Sequence, residues 1–233
     1  MKDLLKSKCA EIGVNLTDAQ CMQFERYYEL LIEWNKRINL TRITEPDEVV
    51  IKHFVDSLTL LKYCEIPQGA KVIDVGTGAG FPGIPLKIAR PDIKLTLLDS
   101  LNKRLNFLRE VCDDIGIQSE LIHSRAEEGS RKPEYRDSFD VAVSRAVARL
   151  NVLAEYCLPY VKAGGQFVAM KGPDLSQELN EAKNAVNTLG GKVETTEEFE
   201  LCGSGRTIVT IIKERQTPEA YPRHSSKIKS KPM

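Results

Sequence analysis

The sequence predicts an α/β domain, with a mostly parallel β-sheet whose last strand runs antiparallel and a helical cap at the N-terminus. Two observations predict it. Short apolar runs alternate with amphipathic stretches from residue 71 onward, and a glycine-rich turn follows the first of those runs. Length agrees: 233 residues, 42% apolar and 28% charged, suffice for one ordinary domain with a decorated end. No apolar run reaches the ~18 residues that span a bilayer. The N-terminal MKDLLKSKCAEIG lacks the apolar centre of a signal peptide and reads as structure. Six scattered cysteines, with no C-x-x-C pair and no clustered His, fit reduced thiols in a cytoplasm and argue against a disulfide framework or a metal site.

In chain order, the cap comes first. Thr17 and Gln20 have the spacing of a capping box, and Phe24, Tyr27, Tyr28, Leu31 and Ile38 then recur at helical spacing. A second helix follows Thr44-Glu45-Pro46, proline being tolerated in a first turn, and runs through Phe54 and Leu58 to about Tyr63. Ile66 to Gly69 (IPQG) ends the cap. Strands are expected at 71–76, 94–99, 119–124, 139–144 and 164–170, with helices between them, notably Asn102–Ile115 and Leu175–Leu189. That alternation means right-handed βαβ units. Residues 193–201 and 206–214 flank Gly203–Gly205 as a hairpin, which makes the final strand antiparallel. The resulting division is a cap over 1–66, a core over 67–215 and a basic tail over 216–233.

The sharpest local signal is DVGTGAGFPGIPL, Asp74 to Leu86. Gly76, Gly78 and Gly80 let the backbone turn tightly and approach a ligand closely. A P-loop needs Lys-Ser/Thr after its last glycine, and none follows. A dinucleotide loop needs glycine where Phe81 stands. Asp99 closes the second strand, where a carboxylate accepts hydrogen bonds from ribose hydroxyls. Together these are similar to motif I and the ribose acid of the Rossmann-like class I methyltransferases, whose ligand is S-adenosylmethionine.

A closer resemblance follows. The glycine loop, LLDSLNKRLNFL (97–108), SRAEE (124–128), VSRAVARL (143–150), EWNKRINLT (33–41), KHFVDSL (52–58) and the YPR…KP tail resemble the bacterial 16S rRNA guanine-N7 methyltransferases, the RsmG family, over nearly the whole chain. The resemblance implies a class I fold of seven strands, S-adenosylmethionine as cofactor, and a guanine in the 530 loop of 16S rRNA as substrate. It implies cofactor contacts at Gly76, Phe81, Ala126, Glu127 and Arg145. Asp99 and Ser100 then hold the ribose end, Ala126 and Glu127 meet the adenine edge, and Gly78 and Gly80 complete the loop. The tail departs from the family's P-R-x-x-G-x-P-x-K pattern: its internal Gly and Pro are missing.

The chemistry fits an alignment mechanism with no certain catalytic side chain. Guanine N7 offers an in-plane lone pair, so no proton need leave before attack. Strand four ends in Ser144-Arg145-Ala146, with neither the [D/N]-P-P-[Y/F] of exocyclic-amine methyltransferases nor a cysteine for covalent attack. Cys157, further on, reads as packed. Arg145 sits where open α/β sheets bind ligands, near the reacting centre, with a plain salt bridge as the bland alternative. His53, Asp56 and Ser57 share a helix face and read as a polar network joining cap to sheet, since no nucleophile elbow accompanies them. Trp34 and Tyr27 read as core.

Zero net charge hides a local excess. From Lys213 onward, Lys213, Arg215, Arg223, Lys227, Lys229 and Lys231 outnumber Glu214 and Glu219, which leaves the rest of the chain acidic. Arg223, Lys227, Lys229 and Lys231 are therefore expected on RNA phosphates, with Asn35, Asn39, Arg42 and Lys171 lining the RNA entrance; a disordered solubilising end is the alternative. The expected partner is 16S rRNA or the small ribosomal subunit, with no membrane, and the protein is expected to be a monomer. Methylation of another RNA base or a small molecule, or a non-catalytic RNA-binding assembly factor, are the competing readings of the same residues.

Overall fold

The computed structural model describes residues 1–145 and 148–233. Its cap contains α1 (Lys2–Glu11), α2 (Asp18–Asn35), α3 (Pro46–Val49), α4 (Asp56–Leu58) and α5 (Leu60–Tyr63). Alternating strands and helices follow: β1 (Lys71–Val75), α6 (Gly83–Ala89), β2 (Lys94–Asp99), α7 (Asn102–Asp114), β3 (Ser119–His123) and α8 (Ala126–Gly129). The second half holds β4 (Phe139–Arg145), α9 (Leu150–Cys157), β5 (Val161–Lys171), α10 (Ser176–Thr188), β6 (Gly191–Leu201), β7 (Ser204–Lys213) and α11 (Ser225–Ser230).

The seven strands form one sheet in the order β3-β2-β1-β4-β5-β7-β6, parallel from β1 to β5, with β7 antiparallel to both its neighbours. The reversal of order beside β1 places a crevice at the carboxyl ends of β1 and β4, where open α/β sheets bind ligands. The hairpin is tighter than the sequence suggests. Cys202 and Gly203, both at positive φ, make a two-residue turn, and the strand resumes at Ser204.

The capping box at Thr17 and Gln20 is formed, with Thr17 Oγ1 accepting from Gln20 N at 3.2 Å and Gln20 Oε1 accepting from Thr17 N at 2.8 Å. The second cap helix is not uniform. Between α3 and α4 the chain passes through a π-helical turn, Val50–Val55. Such turns arise where tertiary contacts pull a residue out of α-helical step. One layer of core joins the cap to α6, α7 and one sheet face, with Phe24, Tyr27, Phe54 and Phe107 fully buried in it. Each such ring contributes about 1.5–3 kcal/mol of apolar burial. A second layer packs α9, α10 and α11 on the opposite face. No helix among the described residues is long and apolar enough to cross a membrane.

Candidate functional site

The floor of the site is the glycine loop after β1. Gly76 and Gly78 have φ of +74° and +62°, the left-handed region that glycine adopts without strain. Carbonyl Leu98 accepts from Gly76 N (2.9 Å) and Thr77 N (3.1 Å), which ties the loop to β2. Beneath it Asp74 Oδ2 accepts from Thr77 Oγ1 (2.7 Å) and Gly83 N (2.9 Å). Complete burial pushes the Asp74 carboxyl up to about 6, although those two hydrogen bonds pull the other way. From the next strand Asp99 Oδ2 accepts from Gly78 N (3.0 Å) and Arg104 Nη1 (3.2 Å), and Oδ1 accepts from Leu101 N (2.9 Å).

Above the loop lies a cavity of about 710 Å³. Gly76, Gly78, Phe81, Asp99, Ser100, Ala126, Glu127 and Arg145 all line it. Eight of the nine expected cofactor contacts are thus brought together from four strand ends. The ninth, Gly80, does not line the cavity: a Cβ there would stand 2.6 Å from Tyr27 Oη and 2.7 Å from Ile84 Cδ1, so packing requires its glycine. Two features mark the cavity as built for a ligand. Glu127 Oε1 is buried with no hydrogen-bond partner among the described residues. A Cβ on Gly78 would meet nothing nearer than Gly76 O at 4.0 Å, so the space beside that backbone is open. An orphaned acceptor at one end and an open backbone cradle with a carboxylate at the other fit a long ligand with adenine and ribose hydroxyl donors.

Arg145 forms the wall nearest the cap. Its Nη1 donates to Asp56 Oδ2 (2.9 Å) and to Lys52 O (3.0 Å), and its guanidinium lies 4.9 Å from the Phe81 ring centroid. The Phe81 ring stacks in turn on His53 at 4.5 Å. His53 Nδ1 faces Arg145 Nη2 at 3.2 Å, and Nε2 lies 2.8 Å from Thr41 Oγ1. Nδ1 also lies 3.0 Å from Lys52 O, so both ring nitrogens are engaged by their surroundings. Burial, then the Arg145 charge, lowers the His53 pKa to about 4, which keeps the ring neutral. Asp56 Oδ1 also accepts from Arg206 Nε (2.7 Å). The polar network between cap and sheet therefore exists through His53 and Asp56; Ser57 turns inward to His53 O (2.5 Å). Ser144 Oγ donates to Val75 O (2.9 Å), and Ala146 lies outside the described residues.

Several expected RNA contacts are committed elsewhere. Asn35 Oδ1 accepts from Leu40 N (2.8 Å) and Thr41 N (3.0 Å) and its Nδ2 donates to Thr41 O (2.9 Å), so its side chain folds the loop that follows α2. Lys171 is half-buried, paired with Glu178 (2.5 Å) and donating to Ala148 O (2.7 Å). The Arg223 guanidinium grips Glu155, a side chain 1% exposed, through Nε (2.9 Å) and Nη2 (2.7 Å), and Arg223 N adds a third bond (2.7 Å). With Ile228 buried and Arg131 and Arg136 donating to tail carbonyls, the tail is docked on α9. Asn39, Arg42, Lys227, Lys229 and Lys231 are exposed, and Lys229 lines the cavity. Trp34 packs on Phe107, and Cys157 is buried, with its thiol raised well above the usual range. The sequence reading missed Tyr27 as a loop contact, Asp74, Thr41 and Arg206. For Asp74 the signal was present, a carboxylate two residues before the first loop glycine.

The family described as rRNA small subunit methyltransferase G matches residues 20–207. Proteins named ribosomal RNA small subunit methyltransferase G are similar over the full chain: 52% identical in Desulforamulus reducens, covering 100% of both chains, and 48% in Clostridium perfringens strain 13, covering 99% and 98%. Among solved structures, a methyltransferase from Pyrococcus furiosus superposes with a TM-score of 0.57 at 18% identity, covering 82% of this chain and 98% of that one. A SAM-dependent methyltransferase from Aquifex aeolicus gives 0.53 at 19%, covering 78% and 98%. These two show the fold.

Proposed function

The chain belongs to the rRNA small subunit methyltransferase G family and is an S-adenosylmethionine-dependent rRNA methyltransferase; from that premise we propose that its cleft directs the methyl group to N7 of a guanine in the 530 loop of 16S rRNA. S-adenosylmethionine supplies an electrophilic methyl group when bound. The loop glycines Gly76 and Gly78 admit it against the backbone, and Asp99 and Ser100 meet its ribose hydroxyls. The unpartnered Glu127 Oε1 and the Ala126 backbone meet the adenine edge. Phe81 and Arg145 form the wall toward the substrate.

The observation that carries the N7 reading is the state of His53. It is the one imidazole lining the cavity among the described residues, and both its nitrogens are occupied, Nδ1 by Lys52 O and Arg145 and Nε2 by Thr41. Attack by an exocyclic amine profits from a base to collect a proton, whereas N7 needs only to be held in line. Held rigidly by Asp56, Arg145 orients rather than transfers protons. Asn39, Arg42, Lys227, Lys229 and Lys231, all exposed, contact the RNA backbone. The protein acts as a monomer in the cytoplasm. Methyl incorporation into purified small subunits lacking the modification tests this reading; incorporation into free nucleosides or metabolites instead would refute it.

A further inference from the structure

A second cavity, of about 370 Å³, adjoins the cofactor cleft and shares His53 and Arg145 with it. It lies at the ends of β4, β5 and β7, so whatever fills it stands beside the methyl acceptor. Four cations line it, Lys52, Arg145, Lys171 and Arg206, against one carboxylate, Asp56. Glu48 and Glu178 neutralise the two lysines, each at 2.5 Å. The two arginines share Asp56, Arg145 on Oδ2 at 2.9 Å and Arg206 on Oδ1 at 2.7 Å. One carboxylate cannot neutralise two guanidinium groups, and one positive charge is left over in a largely desolvated place.

One group in the cavity wall points at a ligand. Arg206 spends Nε on Asp56 and Nη1 on Gly205 O (3.0 Å), while Nη2 has no partner among the described residues and its side chain is 25% exposed. The next residue, Thr207, also borders the cavity, but alternation along the strand turns its side chain to the opposite face of the sheet, the face of its cross-strand partner Lys171 and of α10.

The geometry points to an anion subsite in which Arg206 receives a phosphodiester group of the RNA strand next to the target base. A phosphodiester carries one negative charge, which matches the uncompensated guanidinium, and its oxygen accepts from the free Nη2. The shared wall of Arg145 and His53 makes the two cavities neighbours, as a base and its adjoining backbone are. The inference rests on the rRNA reading for the source of the phosphate.

The test compares wild type with Arg206→Gln and Thr207→Val for small-subunit affinity across a range of salt. The expected result for Arg206→Gln is a slope of log affinity against log salt shallower by about 0.7, the value for one single-strand phosphate contact. Thr207→Val, whose side chain lies on the other face of the sheet, is the control and is expected to keep wild-type affinity and slope. It should melt at or above the wild-type temperature, because a methyl replaces an unpaired hydroxyl. Calorimetric affinity for S-adenosylmethionine should be retained in both, which excludes a collapsed cleft. Inorganic phosphate at fixed ionic strength should raise the melting temperature of wild type and not of Arg206→Gln, and this arm judges the subsite even if small subunits prove not to be the substrate. Wild-type affinity and slope in Arg206→Gln, or phosphate stabilisation that survives it, would overturn the inference.

Discussion

Tyr27 of α2 donates its hydroxyl to the carbonyl of Ala79 at the crest of the glycine loop. The cap thus reaches through the core and fixes the loop backbone at the floor of the cleft. The Tyr27 ring stands 5.5 Å from Phe81 and from Phe54, so the contact is held from both sides.

Tyr27→Phe keeps the ring and strands a buried carbonyl. It should destabilise the protein by about 1–3 kcal/mol and weaken S-adenosylmethionine binding several-fold, with small-subunit affinity retained. Denaturant melts and calorimetry check both; unchanged cofactor affinity would mean the loop holds itself without the cap.

Gly78→Ala and Gly80→Ala should fail differently. Alanine at 78 meets no protein atom within 4 Å apart from Gly76 O. The chain should fold, losing about 1–2 kcal/mol to the left-handed backbone, while cofactor binding is lost. Alanine at 80 collides with Tyr27 and Ile84 and should lower the melting temperature sharply. Equal effects on folding would contradict the assignment of open space beside Gly78.

The β-strands and the glycine loop could be read from the chain because both are local. Period and punctuation mark each strand, and a strand–glycines–helix context marks the loop. What escaped depends on partners far away in sequence. Arg223 reads as a free cation until Glu155, 68 residues away, is found beneath it. Asn35 reads as a projecting polar side chain until the loop turns back on it. The π-turn at Val50–Val55 has no sequence period of its own, and it is what delivers His53 and Asp56 to Arg145. Gly80 shows the limit from the other side: the motif names three glycines alike, and only packing shows that Gly78 borders open space while Gly80 is pressed against Tyr27 and Ile84.

Breaking the Arg223–Glu155 pair should cost far more than a surface ion pair. Arg223→Met leaves a buried carboxylate alone and should destabilise by about 3–5 kcal/mol. Adding Glu155→Met should recover most of that. Limited proteolysis should cut the tail early in the single variant and not in the double. Changing Lys227, Lys229 and Lys231 to Ala, by contrast, should leave the melting temperature alone and flatten the salt dependence of RNA binding by about 0.7 per lost contact.

Two buried groups set opposing pH dependences. His53, with its pKa lowered to about 4, is protonated first in the unfolded chain, so its contribution to stability is lost as pH falls from about 6.5 toward 4. Asp74, raised to about 6, is protonated first in the folded chain, so stability is gained as pH falls from 6 toward 4. His53→Gln should therefore gain on wild type as pH drops from 7 to 4.5, and Asp74→Asn should lose on it, each by up to about 3 kcal/mol. Denaturant melts at the two pH values decide; parallel shifts of both variants would contradict these ionisation states.

The reaction proposed for this cleft methylates one ring nitrogen of guanine by alignment. N7 methylation places positive charge on the purine and weakens its glycosidic bond. Small-subunit RNA treated with the protein and S-adenosylmethionine, then reduced and exposed to aniline, should break at a single guanine in the 530 loop, in amount equal to the methyl incorporated. Methyl incorporation without strand cleavage, or methyl recovered on N1, N2 or a ribose oxygen, would contradict the claim.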